Sequence, residues 1–189
     1  MTRFAILLTG TCAIGALLLP VLARPAPRLV WNLSSSVPVG LYAAHRSAPR
    51  RGDLVAAHAP QRIARLMAER GYLPLRVPML KHVAAAPGQR ICRTGTKVTV
   101  DGIVVAQARL TDRAGRSLPR WSGCRTLRSG ELFLLNPASA DSFDGRYFGP
   151  VSARSVVAVL EPLWLPGSPS PAPARRESPP PPVSKRNAK

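Results

Sequence analysis

The apolar positions of this chain form one long block near its start and several short runs further along. Residues 4–22, FAILLTGTCAIGALLLPVL, contain no charged side chain. A helix over this stretch, at about 1.5 Å per residue, is long enough to cross a hydrocarbon layer. We therefore expect residues 1–28 to be either a retained membrane anchor or a cleaved signal peptide ending near Val21-Leu22-Ala23. The length of the apolar run favours the anchor, and either interpretation exports the rest of the chain.

Beyond this block, short β-type runs alternate with turn signals. The runs are GLYAAH, DLVAAHA, KHVAAA, KVTVDGIVVAQ, GELFLLN and SVVAVLEPLW, and their composition and bounding residues predict strands. Asp101-Gly102, inside the fourth run, predicts a tight hairpin turn. One stretch, PQRIARLMAERGYL at residues 60–73, has helical spacing and a stop signal at its Arg-Gly pair. The pattern predicts a mostly β domain over residues 29–165 with one short helical excursion.

The remaining residues, 166–189, read PGSPSPAPARRESPPPPVSKRNAK. This Pro-rich segment has almost nothing apolar to bury, so we expect a disordered, extended tail. The whole chain has 27 Lys and Arg against 9 Asp and Glu, a formal net charge of +18. The basic residues are scattered, without a block that would indicate a nucleic-acid arm, so a basic surface is expected and a nucleic-acid partner is not.

The cysteines fit an exported domain. Cys12 lies in the apolar block, which leaves Cys92 and Cys124 as a pair in the compartment where disulfides persist. They are either a disulfide closing a loop of about 33 residues or two reduced, buried thiols. The chain has no CxxC pair and no HxxxH spacing, and it contains 3 His. We therefore expect no metal site.

A candidate nucleophile lies in SSSVPVGLY, residues 34–42. The common hydrolase pattern GxSxG is absent. Ser36 precedes Val-Pro-Val-Gly, which restricts the backbone before Gly40 and frees it afterwards, and such a segment can hold one hydroxyl in an exposed, strained turn. The alternative is that this stretch is only a polar linker leaving the membrane.

Lys81 is the candidate base for such a serine. It is embedded in LRVPMLKHVAAAPG, where apolar neighbours favour burial of its ammonium group. To be half neutral at pH 7, a lysine needs its pKa lowered by about 3.4 pH units, or about 4.6 kcal/mol, which desolvation can supply. Neutral Lys81 could then accept the Ser36 proton. The alternative is a surface lysine with its ammonium in solvent, the state that we expect for Lys97 in TGTKVTVDG.

Four short segments of the sequence, or boxes, resemble the conserved segments of a known protein family. SVPVGLY, RGDLVAAH, MLKHVAAAPGQ and DSFDGRYFGPV occur over residues 36–151 in the same order as the conserved boxes of the membrane-bound type I signal peptidases. The SxPxGLY form resembles the conjugative transfer, or TraF-type, subgroup. The resemblance implies a Ser-Lys protease with a signal-peptidase/LexA-like β catalytic domain and an N-terminal transmembrane helix. It also implies cleavage of exported precursors that have small residues at −1 and −3.

Carried over box by box, the resemblance implies Ser36 as the nucleophile and Lys81 as the general base. The backbone N–H of Ser36 would form half of the oxyanion hole, and the hydroxyl of Ser34 would be the second donor. Ser35 receives no role. The family box that ends in Pro-Gly-Asp ends here in Pro-Gly-Gln at Gln89, which leaves the dyad intact.

The last box implies supporting residues. Ser142 matches the serine that orients the lysine, and Asp144 and Arg146 match an acid and an arginine that pair near the site. Gly145 stands where serine is usual in the family. This departure leaves the dyad unchanged but puts the fine substrate preference in doubt.

In the conjugative subgroup the expected partner is a propilin or a similar transfer-apparatus precursor. The expected location is the bacterial inner membrane, with the N-terminal helix in lipid and the catalytic domain in the periplasm. A different class of function stays open, namely a non-catalytic, membrane-anchored assembly factor of a secretion or conjugation complex. A LexA-like self-cleaving regulator would require a cytoplasmic location and a DNA-binding segment, and the sequence indicates neither.

Overall fold

The structure, a computed structural model, describes residues 3–23 and 28–166. Within them lie the helices α1 (Arg3–Ala23), α2 (Gln61–Glu69) and α3 (Gly145–Phe148). The strands are β1 (Leu29–Asn32), β2 (Gly40–His45), β3 (Leu54–Ala57), β4 (Met79–Ala85), β5 (Arg90–Thr94), β6 (Lys97–Val100), β7 (Ile103–Gln107), β8 (Gly123–Thr126), β9 (Glu131–Leu135), β10 (Val151–Ser152) and β11 (Val156–Trp164). No helix in these described ranges is long and apolar enough to span a membrane. The expected tail lies, from residue 167 onward, outside the described residues.

The strands form two antiparallel sheets, so the expected mostly β architecture is confirmed. One sheet has seven strands in the order β1-β2-β11-β3-β4-β9-β10, and the other has four in the order β7-β6-β5-β8. Each of the six runs predicted as strands overlaps one or two of them. The predicted hairpin joins β6 to β7, with Asp101 at φ 48° and Gly102 at φ 83°, the left-handed conformations that such a turn requires.

Strands β1, β5, β8 and β10 were not among the predicted runs, for physical reasons. β8 is exposed along its whole length, so its sequence has no buried apolar positions that would predict a strand. In β5, RICRT, the inward positions are Ile91 and Arg93, and a buried arginine breaks the apolar alternation. Short strands whose partners supply most of the packing leave a weak pattern in their own sequence.

Helix α2 ends at the predicted stop. Gly71 takes φ 71°, a left-handed conformation that glycine adopts without strain. The N–H of Tyr72 donates to Met67 O at 2.8 Å and the N–H of Gly71 donates to Ala68 O at 3.1 Å. These two bonds are a Schellman motif, which satisfies carbonyls that the last helical turn would otherwise leave free.

Strand β9 holds the two sheets together. Leu134 packs in one buried cluster with Val55 and Val83 of the larger sheet. The next residue towards the N-terminus, Phe133, faces the other way and packs in a second cluster with Ile91. Burying a Leu or Phe side chain contributes about 1.5 to 3 kcal/mol. Because β9 buries both faces, it fixes the position of the loop that follows it.

Candidate active site

The candidate nucleophile lies in the connection between β1 and β2. These strands pair up to Asn32 and Gly40, so residues 33–39 form a short loop at the end of the seven-stranded sheet. A Cβ atom on Gly40 would lie 2.3 Å from the carbonyl oxygen of Trp164 in β11. Glycine is therefore required here because β11 passes so close, and not only for backbone freedom.

The buried side chain of Asn32 organises this loop. The two hydrogens of its Nδ2 are shared among three acceptors, the carbonyl oxygens of Ser34, Val37 and Pro38, at 2.9, 3.1 and 3.0 Å. Its Oδ1 accepts from the backbone N–H of Ser34 at 3.0 Å and from the Ser34 hydroxyl at 2.8 Å. One amide thus satisfies five polar groups of a segment that has no strand partner of its own.

Ser36 does not have the left-handed backbone that would mark the strained turn expected there. Among the described residues, the non-glycine positions with positive φ are Arg76 and Asp101. The Ser36 loop is held by the hydrogen bonds of Asn32 instead. No pattern in the sequence singles out Asn32, although an asparagine directly before a run of serines could have been noticed, since its amide can cap a turn.

The hydroxyls of Ser34 and Ser36 lie 3.4 Å apart. Because the side-chain carbonyl of Asn32 can only accept, the single proton of the Ser34 hydroxyl is used in the bond to Asn32. Ser34 can therefore accept from Ser36, but it must rotate before it donates to anything else. Ser36 is half-buried and Ser34 is exposed.

Lys81 lies on the inward face of β4. The strand alternates buried and half-buried positions, with Met79, Lys81 and Val83 on the buried face, as a period of two residues requires. Lys81 is 5% exposed. Its Nζ donates to the Oγ of Ser142 at 2.9 Å, so the structure brings together the two residues that the family resemblance implied would meet.

Burial controls the charge of Lys81. Desolvation lowers the pKa of the Lys81 ammonium from 10.5 to about 8, the Asp144 carboxylate opposes this change, and the Arg146 guanidinium adds to it. Removing a charged amine from water favours its neutral form. Lys97, in contrast, is exposed on β6, as expected.

Asp144 and Arg146 form a buried ion pair next to Lys81. Arg146 Nη2 lies 2.8 Å from Asp144 Oδ2, with side chains 2% and 0% exposed, and Arg146 Nε donates to Asp144 Oδ1 at 2.8 Å. Arg146 Nη2 also donates to the carbonyl oxygens of Asn136 and Ser139 at 3.0 and 2.7 Å. A two-point contact of this kind fixes geometry as well as charge. Through its bonds to Asn136 and Ser139, the pair holds the loop that carries Ser142 in place.

The glycine between these two residues has no room for a side chain. A Cβ atom on Gly145 would lie 2.8 Å from the carbonyl oxygen of Leu134 and 2.8 Å from Cε2 of Phe133. The serine that is usual at this position in the family would not fit without a shift of β9. The departure therefore reflects how closely the loop packs on this strand.

An open cleft of about 850 Å³ runs past these groups. Ser36, Lys81 and Ser142 all line it, and much of its wall is apolar, including Leu73 and Phe143. In the described part of the chain no hydrogen bond joins Ser36 to Lys81; each bonds another serine instead. One cleft is thus lined by a hydroxyl, an amine of lowered pKa and an apolar surface. That combination is suited to acyl transfer on an extended chain.

Cys92 and Cys124 form a disulfide, with an S–S distance of 2.05 Å. They occupy paired positions of β5 and β8, so the bond attaches the exposed strand β8 to its sheet. Across residues 3–23 and 28–166 there is no cluster of His, Cys, Asp and Glu that could hold a metal ion.

The fold and the site describe a mostly β protein with a buried lysine and several serines around one cleft. The family model for the signal peptidases, peptidase S26, matches residues 1–164, and the chain belongs to this family. It is 37% identical over 176 residues to the plasmid transfer protein TraF of Escherichia coli, covering 86% of this chain and 98% of that protein. It is 31% identical over 144 residues to the conjugal transfer protein TraF of Agrobacterium fabrum, covering 70% of this chain and 80% of that protein.

Among solved structures, a signal peptidase I from Enterococcus faecalis matches with a TM-score of 0.36 and 20% sequence identity. The match covers 62% of this chain and 99% of that chain. At this score the likeness carries no argument about the fold, and the family assignment stands on the sequence matches.

Proposed function

We propose that this chain is a serine endopeptidase that removes signal peptides from exported precursors, with Ser36 as nucleophile and Lys81 as general base. The observation that carries the proposal is the position of Lys81, which is 5% exposed, hydrogen-bonded to Ser142 and on the same cleft as Ser36. A lysine is costly to bury. The cost is understandable where a neutral amine is needed next to a hydroxyl.

In the proposed reaction, Ser36 Oγ bonds to the scissile carbonyl carbon while its proton passes to the Lys81 amine, and the carbonyl oxygen becomes an oxyanion. When this intermediate collapses, the C–N bond breaks and protonated Lys81 gives its proton to the leaving amine. Water then attacks the ester, again losing a proton to Lys81. The second collapse releases the acid, and Ser36 Oγ recovers its proton from Lys81. No cofactor takes part.

The oxyanion needs donors, each worth about 3 to 4 kcal/mol in the transition state. One is the backbone N–H of Ser36, and the second is the hydroxyl of Ser34. Because Ser34 donates to Asn32 in the free enzyme, its hydroxyl exchanges that acceptor for the oxyanion when substrate binds. Ser142 keeps the Lys81 amine in position, and the Asp144–Arg146 pair supports the Ser142 loop.

The proposed substrate is a propilin or a similar precursor of a conjugative transfer system, with small residues at −1 and −3. The support comes from the names of the similar proteins, which are plasmid and conjugal transfer proteins. The precursor lies in the cleft as an added strand. The proposed attachment to the bacterial inner membrane is through the apolar block at residues 4–22; it rests on the sequence, since no described helix qualifies as a membrane span, and the catalytic domain acts in the periplasm.

The test is processing of the candidate precursor in cells that express the full chain. We expect Ser36→Ala and Lys81→Ala to leave the precursor uncut, whereas Lys97→Ala, which alters an exposed lysine, cuts it normally. Membrane levels of each variant are compared by immunoblot. Normal processing by either dyad variant would refute the assignment.

Lys81→Arg separates a base from a simple positive charge. A guanidinium stays protonated at pH 7, so this variant should be inactive although it keeps the charge. A non-catalytic assembly factor would behave differently, because conjugation would then continue with Ser36→Ala and Lys81→Arg in place of the wild type. Measuring conjugation frequency together with precursor processing distinguishes these functions.

A further inference from the structure

Asn136 continues the pairing between β4 and β9 with its side chain. The backbones pair up to His82 and Leu135. Beyond this point the N–H of His82 donates to Asn136 Oδ1 at 3.3 Å, and Asn136 Nδ2 donates to the carbonyl oxygen of Leu80 at 3.0 Å. These two backbone groups flank Lys81. A side-chain amide thus takes the place of the next peptide unit of β9.

The backbone of Asn136 faces the other half of the site. Its N–H donates to Asp144 Oδ2 at 3.0 Å, and its carbonyl oxygen accepts from Arg146 Nη2 at 3.0 Å. The residue is 2% exposed, so these bonds are shielded from competing water. Asn136 therefore joins the strand that carries Lys81 to the ion pair that folds the Ser142 loop.

The backbone beyond Leu135 does not make this link, because the N–H and carbonyl oxygen of Asn136 bond to Asp144 and Arg146. Pro137 follows Asn136 and has no N–H, so it cannot continue the ladder with β4. An aspartate could accept from His82 but could not donate to Leu80 while ionised, and an alanine could do neither. Asparagine has the donor and the acceptor that two successive peptide groups of β4 require.

We propose that Asn136 is a positioning residue that sets the Lys81 amine against the Ser142 hydroxyl and thereby makes Lys81 competent as a base. This inference rests on the proposed Ser36–Lys81 chemistry. A displacement of about 1 Å between reacting groups can cost about 100-fold in rate. Without the Asn136 side chain, no amide links β4 to the ion pair that supports the Ser142 loop. The two segments can then shift relative to each other, and water reaches Lys81.

The experiment uses full-length protein in detergent and an internally quenched peptide with alanine at −3 and −1. We expect Asn136→Ala to lower kcat about 10- to 100-fold with little change in KM, and to move the acid limb of the pH profile towards higher pH. Asn136→Leu, which keeps the approximate shape but has neither the donor nor the acceptor and adds no charge, is the second variant, and we expect the same direction of change from it. Gln89→Ala is the matched control, because its amide bonds the backbone at the other end of β4, at Ala86.

A purely structural role would lower the melting temperature without moving the acid limb, as we expect for Gln89→Ala. The proposal is overturned if both Asn136 variants keep the wild-type kcat and acid limb. Failure of the underlying chemistry has a separate signature, since Lys81→Ala would then cleave the peptide as fast as the wild type.

Discussion

Raising the pH from 7 to 9 should increase the rate of peptide cleavage about tenfold if neutral Lys81 is the base. Burial lowers the pKa of Lys81 to about 8, against the opposing field of the Asp144 carboxylate and with the added effect of Arg146. With such a pKa, about one tenth of Lys81 is neutral at pH 7 and about nine tenths at pH 9. The rate follows this fraction and levels off near pH 9.

A lysine in water would give a different curve. With a pKa of 10.5, it would be neutral in only about 0.03% of molecules at pH 7. Its rate would rise about 100-fold between pH 7 and 9 without levelling off. The lowered pKa of Lys81 is thus worth about 300-fold in active enzyme at pH 7, and the shape of the profile distinguishes the two cases.

The assay measures kcat/KM from pH 6 to 10.5 with the quenched peptide, because this ratio reports ionisations of the free enzyme. Ser36→Ala supplies the background at each pH, and thermal unfolding at the same values verifies that the enzyme remains folded. A rate that is flat between pH 7 and 9 would refute the reasoning. So would a rise of about 100-fold with no plateau.

Three further changes test the packing around the site. Lys81→Met should abolish cleavage but raise the melting temperature at pH 7, since burying the ammonium costs about 3 kcal/mol. The free energy of unfolding of the wild type should then rise from pH 8 to 10.5, where the unfolded chain keeps a proton that native Lys81 has lost. If the difference in this free energy between the wild type and Lys81→Met stays constant over that range, the reasoning is wrong. Cys124→Ser should lower the free energy of unfolding by about 3 to 4 kcal/mol, and reductant should destabilise the wild type equally in urea titrations. Gly145→Ala should cost about 1 to 3 kcal/mol by overpacking; an unchanged urea midpoint would argue against the close contact with Leu134.

The predictable part of the fold is the part whose signal is local. The composition and bounding residues of KHVAAA predict strand β4, and Asp101-Gly102 predicts the β6–β7 hairpin because it supplies two left-handed residues. β8 has no buried face and pairs with β5, about 30 residues earlier in the chain. It is a strand through its pairing with β5, and the disulfide joins the two. The periodicity of a single segment does not predict which strand it pairs with or the order of strands in the sheet.

The same distinction runs through the site. Lys81 could be identified because its apolar neighbours in β4 determine its burial, and burial determines its chemistry. The amides of Asn32 and Asn136 could not be identified in this way, although each satisfies several backbone groups. Asn136 bonds to β4 at a separation of more than 50 residues, so its role exists only after β4 and β9 have paired. A single polar residue that bonds backbone groups leaves no periodic trace, whether those groups lie within six residues, as for Asn32, or far along the chain, as for Asn136. Such residues are therefore found from the geometry of the folded chain.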